Sequence, residues 1–343
     1  MIQVLARYIA LFTITLIVLC AMSFSLAYLF PGDVLENLTG ITPQNAFQRD
    51  AIARQLGLDQ NYFVQFYYYL VRLLDGDWGY SAASGLPLLE EIQIALPATI
   101  ELSTYAMFMA ILVGVPLGYY AGIKCYSTTD YTLNSLSITT YSFPVFWFAL
   151  VLILLFSLQL DVAPISGRLS LLFDVAPVTG FILIDILLAD NVDHGLAIKD
   201  ALSHLFLPTV AIGAITTAAM IRITRRSVID VMQRPYIAAA RSRGLSSWQI
   251  FFRHVVRNAL LPILPLMAIQ ITTLITNAMI VETLFSWPGI GNWLLQAIYQ
   301  QDYPALRVGM LAVSTLVIML TIIVDLFNRL IDPSRDRFER GTI

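Results

Sequence analysis

RITRRSVIDVMQRPYIAAARSRGLSSWQIFFRHVVRNALLP, residues 222–262, packs eight arginines between two apolar runs. The run before it covers residues 204–221 and the run after it residues 261–281. Each is close to the roughly 20 apolar residues that cross a bilayer as a helix. Four more such runs occur at residues 8–30, 98–122, 133–159 and 308–330. The first is too long for the apolar stretch of a signal peptide and has no small-x-small cleavage site after it, so it reads as a retained span. The expected fold is therefore all-α, a polytopic membrane protein with six transmembrane helices. A seventh apolar stretch, residues 178–189, is interrupted by Asp185 and is only about a dozen residues long, which suits an interfacial or re-entrant helix. Counting it as a span would turn the eight-arginine segment outward, against the bias of Lys and Arg toward the cytoplasm. With six spans and the N-terminus inside, fourteen of the twenty basic residues fall on the cytoplasmic side. Both termini are then cytoplasmic.

Composition agrees with a bilayer protein. Of 343 residues 58% are hydrophobic and 13% charged, and the mean hydropathy is +0.74. Soluble domains average about 25% charged residues, so an ordinary soluble enzyme, a disordered chain and a nucleic-acid binder are excluded. The net charge of −3 gives no general attraction to polyanions. Two cysteines, Cys20 and Cys125, encode no disulfide framework.

The outer loops are acidic: residues 32–97 carry eight acids against three bases, and residues 161–203 six against two. The spans hold almost no ionisable residue, with Glu101, Glu282 and Asp325 near their ends. Charges at span centres mark ion paths and proton relays, so a proton- or sodium-coupled carrier and a selective ion channel are disfavoured. No phosphate-binding Gly-x-x-x-x-Gly-Lys-Ser/Thr loop is present, and the three histidines are scattered. The chain is expected to be no enzyme, to hold no cofactor or metal, and to draw its energy from elsewhere. Gly114, Gly118 and Gly122 form overlapping small-xxx-small repeats that let another helix approach closely. Pro116 within that span and Pro144 in the next are expected to weaken or kink their helices.

The arginine-rich segment is too long for a turn. Residues 236–243 are good helix formers, with Ala238, Ala239 and Ala240 giving a small-residue face. Gly244 supplies the left-handed conformation that ends a helix. Ser246 with Gln249 three residues on reads as a capping box opening another. Arg253 and Arg257, four apart, are expected on one face of it. The object is a helix–Gly–helix elbow, small at its tip and basic at its sides, suited to a groove in another protein. Most of its arginines are accounted for by cytoplasmic charge bias and lipid headgroup contact.

Ala239-Ala240-x-x-x-Gly244 resembles the EAA loop of ATP-binding cassette (ABC) importer permeases. Ala238 replaces the Glu of that pattern, and His254, Val256 and Arg257 stand where Ile, Leu and Pro would be. Tyr236, the ARSRGL run at residues 240–245, His254 and the RNALLP run at residues 257–262 are similar to the dipeptide and oligopeptide permease branch. In order along the chain, FPGD (30–33), LDQNYFVQFYYYL (58–70), GDWGYS (76–81), LPATIEL (96–102), PVFWFAL (144–150), PISGR (164–168), VETLFSWPGIG (281–291), QQDYPA (300–305) and DLFNRLIDP (325–333) fit the same branch. Residues 166–190 look like the second outer loop of the permeases of Sap transporters, a family associated with antimicrobial-peptide uptake and resistance and, in some members, putrescine export.

The resemblance implies a type I ABC importer permease fold. Its parts would be an N-terminal transmembrane helix (1–30), a periplasmic loop region (31–97), a core of five transmembrane helices (98–330) with its coupling loop at 222–261, and a cytoplasmic tail (331–343). It implies a bacterial inner-membrane subunit that moves peptides, with general di- or oligopeptide import and polyamine export as alternatives on the same architecture. A non-transporting membrane scaffold is the alternative of another class. The implied partners are a second homologous permease, two cytoplasmic ATPase subunits that use ATP and Mg, a periplasmic peptide-binding protein and membrane lipid, with no nucleic acid. Tyr236, Ala239, Ala240, Arg241, Arg243, Gly244 and Leu245 would form the ATPase-coupling loop. Pro144, Trp147, Glu282, Trp287, Pro288 and Gly289 are candidate pathway or gating elements, Trp287 being equally readable as an interfacial anchor.

Overall fold

A computed structural model of the chain describes residues 2–331, so all but the first residue of the expected tail lies outside the described residues. The fold is all-α. Among the described residues there is no strand, only an isolated antiparallel bridge between Tyr80 and Pro87. Among the described residues five helical stretches are long and apolar enough to cross a membrane, and a bent pair brings the number to six if its two arms are one span.

The chain forms two compact units. The first comprises residues 1–99, 175–190 and 288–319. Its α1 (Ile2–Leu29) ends where Pro31-Gly32 breaks the helix, and buried Asn37 donates to the Ala27 carbonyl at 3.1 Å. Residues 31–97 hold more than connecting loop. They form α2 (Val34–Thr39), α3 (Ala46–Gln55) and α4 (Tyr62–Leu74), opened by the side-chain caps Asp33, Asn45 and Asn61, and then the start of α5 (Leu88–Met109). Each cap satisfies an N–H that the first helical turn leaves without a partner. Phe24, Ala27, Leu38 and Tyr69 form the buried core that joins α1, α2 and α4. Arg307 lies in the same unit. It is 1% exposed, its Nη2 donates to the Leu38 carbonyl at 3.0 Å, and its guanidinium lies 5.1 Å from the Tyr69 ring centroid. A buried cation is thus held by a helix C-terminal carbonyl and an aromatic face.

Among the described residues the second unit comprises 100–174, 191–287 and 320–331. A π-helical turn, Ala110–Gly114, links α5 to α6 (Val115–Ile123). Pro116 follows directly and offers no N–H to the carbonyl four residues back, so the hydrogen-bond ladder is re-spaced rather than broken. Next come α7 (Thr128–Ser142) and α8 (Val145–Leu152), which runs on into a π turn at Ile153–Gln159. The expected single kinked span at residues 133–159 is instead two helical arms bent by 100°. Phe143 is extended (ψ 136°), as the residue before a proline is driven to be, and Pro144 opens the second arm. The short apolar stretch at 178–189 yields only α9 (Ile182–Leu188), in the first unit. Its buried Asp185 accepts from the N–H and hydroxyl of Thr179, both at 2.7 Å.

The centre of the second unit is α10 (His194–Met232), 39 residues long. At 1.5 Å per residue it extends about 58 Å, well beyond a hydrocarbon core of about 30 Å. In its most apolar window 78% of the residues are buried. Gly114, at the end of the π turn, and Gly118 and Gly122 of α6 face it. A Cβ on Gly114 would lie 3.0 Å from the Thr217 carbonyl oxygen, on Gly118 2.8 Å from that of Ile221, and on Gly122 3.0 Å from that of Arg225. The small-residue face is therefore a backbone-on-backbone seam. At one end of the seam buried Asp130 on α7 accepts a bidentate pair from Arg225, 2.8 Å from Nη2. Beyond α10 lie α11 (Pro235–Ser242), α12 (Ser247–Ile250), a π turn (Phe251–Val256) and α13 (Arg257–Leu284). The chain then forms α14 (Ile290–Tyr299) and α15 (Tyr303–Ile331).

Gly118→Leu tests the seam. The added side chain meets the Ile221 carbonyl and the Thr224 side chain. The protein should lose about 1–3 kcal/mol or more of stability, read as a lowered unfolding temperature of the purified protein in detergent.

Candidate functional site

The elbow is built from α11, Gly244 and α12. Pro235 occupies the first turn of α11, where its missing N–H costs nothing. At the other end the Leu245 N–H donates to the Ala240 carbonyl and the Gly244 N–H to that of Arg241. That pair of bonds is the Schellman motif, and Gly244 takes the left-handed conformation it needs, with φ at +77°. Ser246 and Gln249 then cap each other reciprocally, so α12 opens on a complete capping box. The π turn after α12 runs without a break into α13, so the elbow is stiffly continuous with a long helix. Arg253, in the π turn, and Arg257, at the start of α13, are both exposed.

The elbow divides into an inner and an outer face. Ile237, Ala240, Ile250 and Val255 pack with Val228, Val231, Ala259 and Tyr119 in one buried cluster. Tyr119 also donates to the Val256 carbonyl at 2.8 Å. Ala238, Ala239, Arg241, Arg243 and Gly244 are exposed, and a Cβ on Gly244 would meet nothing within 4 Å. Ala240, expected at the coupling tip, points inward with 6% exposure and serves as packing. Leu245 is partly packed against the same cluster, and Tyr236 lies beside His254 with ring centroids 6.4 Å apart. Trp248 went unnoticed in the sequence. It is 70% exposed and makes edge and stacked contacts with Phe252 and Phe251. The segment 222–232, expected to belong to the loop, is instead the last three turns of α10.

The other candidate residues do not gather at the elbow. Trp147 is 44% exposed and stacks on Phe143 across the Pro144 break, with centroids 4.6 Å apart. Glu282 and Trp287 are both fully buried, which corrects the reading of Trp287 as an interfacial anchor. The end of α13 is a second Schellman turn: the Trp287 N–H donates to the Glu282 carbonyl and the Ser286 N–H to that of Thr283. Ser286 adopts φ +48° without being glycine. In the first unit Pro288 is exposed and Gly289 precedes α14, whose Ile290 N–H donates to the Thr99 hydroxyl at 2.9 Å.

Against the end of α13 lies a buried ion pair. Glu101 on α5 accepts from Arg168 Nε at 3.1 Å and from its Nη2. The Arg168 guanidinium sits 5.5 Å from the Trp287 ring centroid, and the neighbouring Gly167 N–H donates to the Phe285 carbonyl at 2.8 Å. Glu101 and Arg168 are 67 residues apart, so no local spacing could pair them; their only signal is that each is an isolated charge beside apolar sequence.

Residues 114–337 match the family described as "Binding-protein-dependent transport system inner membrane component", and residues 1–103 match the corresponding N-terminal family. The chain belongs to this family of membrane permeases. It is 40% identical over 99% of its length to the "Di/tripeptide transport system permease protein DppB" of Pseudomonas aeruginosa (strain UCBPP-PA14), spanning 100% of that protein. It is 37% identical to the "Putrescine export system permease protein SapB" of Escherichia coli (strain K12), covering 96% of each chain. Among solved structures, an inward-facing MetNI methionine ABC transporter aligns with a TM-score of 0.50 at 14% identity, over 68% of this chain and 93% of that one. The fold is that of a type I ABC importer permease.

Arg168→Met leaves the Glu101 carboxylate buried without its cation. Such a change should cost about 3–5 kcal/mol. Replacing both partners, Arg168→Met with Glu101→Leu, should recover most of that loss. Unfolding temperatures of the two variants and the parent, measured in the same detergent, check the sign.

Proposed function

We propose that this chain is one of two homologous permease subunits of an ATP-driven peptide transporter in a bacterial inner membrane, with both termini cytoplasmic. Two cytoplasmic ATPase subunits, which use ATP and Mg, dock on the elbow of this chain and on that of its partner permease. A periplasmic binding protein delivers peptide to the acidic outer side, and lipid surrounds the spans. The observation that carries this reading is the elbow itself: a capped, glycine-terminated turn with a small, exposed outer face and a buried inner face.

The elbow suits force transmission because its two faces do different work. Ala238, Ala239, Arg241 and Arg243 offer a low, basic surface to a groove. Ile237 and Ala240 tie that surface to the ends of α10 and α13, so displacement of the tip moves long helices rather than a slack loop. ATP binding shifts such a system only if the ATPases hold the two permease states unequally. Trp248 is suited to be a docking anchor, since exposed tryptophan is enriched among residues that dominate interfaces.

Peptide is the preferred cargo because near-full-length relatives are named for di- and tripeptide transport. Antimicrobial peptides are the cationic subset that acidic outer loops would favour. Polyamine export is the second reading, favoured by the relative named for putrescine. Uptake and efflux of a labelled tripeptide and of putrescine, in cells expressing this permease with its partner subunits, separate the two.

Gly244 gives the direct test of the elbow. Gly244→Asn keeps access to the left-handed conformation and should retain most uptake. Gly244→Val should abolish peptide uptake while the protein still reaches the membrane in normal amount, because a β-branched residue is strained at φ +77°. Equal uptake by the two variants would reject the elbow as the coupling element. Trp248→Ala should lower recovery of ATPase subunits with the permease about tenfold or more, measured by co-purification.

A further inference from the structure

A cavity of about 490 Å³ opens in the second unit between α7, α10 and α13, in the half of α10 nearest the elbow. That volume is within the range of small-molecule sites. Arg222, Arg226 and Asp230 line it from successive turns of α10, and Tyr141 and Gln270 face them from α7 and α13. The remaining wall is mostly apolar, including Ile223, Pro262 and Leu266.

The charged groups of this cavity are not used up by the fold. Arg222 stacks its guanidinium 4.2 Å from the Tyr141 ring centroid, and its Nε is buried with no hydrogen-bond partner. Among the described residues Arg226 and Asp230, both exposed, enter no ion pair, although they stand four residues apart on one helix and could have paired with each other. Arg225, the adjacent arginine, does pair, with Asp130 on α7. Stacking on tyrosine fixes the plane of the Arg222 guanidinium and leaves its N–H edges free for the bidentate acceptance that a carboxylate offers.

We propose that this cavity is a peptide-binding site that grips the two ends of a free di- or tripeptide, its α-carboxylate on Arg222 and Arg226 and its α-ammonium on Asp230. The inference rests on the peptide-transport reading above and adds the residues and the chemistry of recognition. The spacing fits. Arg226 and Asp230 are about 6 Å apart along the helix and Arg222 and Asp230 about 12 Å, while an extended tripeptide spans at most about 10–11 Å. Only the termini, common to every short peptide, meet charged groups. The side chains face Tyr141 and apolar wall, which selects by size more than by identity. A peptide much longer than the about 12 Å between Arg222 and Asp230 must fold back to place both termini, so the site favours short ones.

Equilibrium binding of labelled trialanine to the assembled transporter in phosphatidylcholine nanodiscs, without the binding protein, tests this. Trialanine should bind about ten- to a hundredfold more tightly than its C-terminal amide, the span expected for a charge-assisted hydrogen bond. Arg222→Gln should remove most of the preference for the acid and leave the amide unchanged, and Arg222→Lys should restore part of it. Asp230→Asn should remove the preference for trialanine over N-acetyl-trialanine. Equal binding of acid and amide by the parent, or equal weakening of both by Arg222→Gln, overturns the proposal. So does displacement of trialanine by phosphatidylglycerol in the nanodisc with no effect of the amide, which would assign the arginines to a lipid headgroup. ATP-driven uptake with the binding protein present keeps the two readings apart. A transporter that takes up acid and amide alike loses only this site, whereas one that takes up neither loses the transport reading as well.

Discussion

Three glycines, each four residues from the next from the end of the π turn through α6, bring this backbone to within contact of the carbonyls of α10, and the second unit is organised by that contact. In a bilayer, lipid tails are as apolar as leucine, so helices gain little by hiding apolar side chains from lipid. Close approach and matched surfaces have to supply the association. Glycine permits it because any side chain at 114, 118 or 122 would collide with a carbonyl oxygen of α10. With α6 on one flank, α13 packed on another and Arg225 locked to Asp130, α10 becomes a stiff rod. Both functional candidates hang on it: the elbow follows its C-terminus, and the cavity is cut into the turns just before.

Charge near the apolar regions obeys one rule with two outcomes. Glu101 with Arg168 and Asp130 with Arg225 are paired, and Arg307 is held by a carbonyl and an aromatic ring. Each arrangement ties together segments distant in sequence. Arg222, stacked on Tyr141, and exposed Arg226 and Asp230 stand apart because they line space and, among the described residues, enter no ion pair. A buried pair adds little to net stability compared with apolar packing, but breaking it is expensive. Such pairs therefore act as registers, fixing which elements meet. The unpaired groups are the ones left with chemistry to offer.

What the sequence made legible follows from this division. Runs of apolar residues, glycine spacing and arginine bias are one-dimensional signals, and they yielded the all-α membrane fold with five to six apolar spans, the glycine face and the elbow with its cap and its Gly244 turn. Side-chain direction within the elbow was not legible, because three consecutive alanines carry no amphipathic contrast; only the fold shows that Ala240 turns inward while Ala238 and Ala239 turn out. The 100° break at Pro144 reads as an ordinary kink until both arms are seen to be helices of their own. Trp287 matches an interfacial residue by type and position, and its burial depends on Arg168, 119 residues away in the chain. Glu101 and Arg168 are each visible as lone charges, but pairing is a three-dimensional fact.

The placement of the cavity on the same rod as the elbow has a mechanical consequence for the proposed function. A displacement at Ala239 is carried through Ile237 and Ala240 into the end of α10, and Asp230, Arg226 and Arg222 lie on the next turns of that helix. Tyr141 and Gln270 face them from other helices. If α10 moves relative to α7 or α13, the distance between the arginines and the opposite wall changes, and the site then binds unequally in the two states. Coupling is reciprocal in free energy: if nucleotide on the ATPases moves α10, peptide in the cavity must bias the same motion from the other end. The elbow and the cavity would then be two handles on one element, and the glycine seam is what keeps that element rigid enough to connect them.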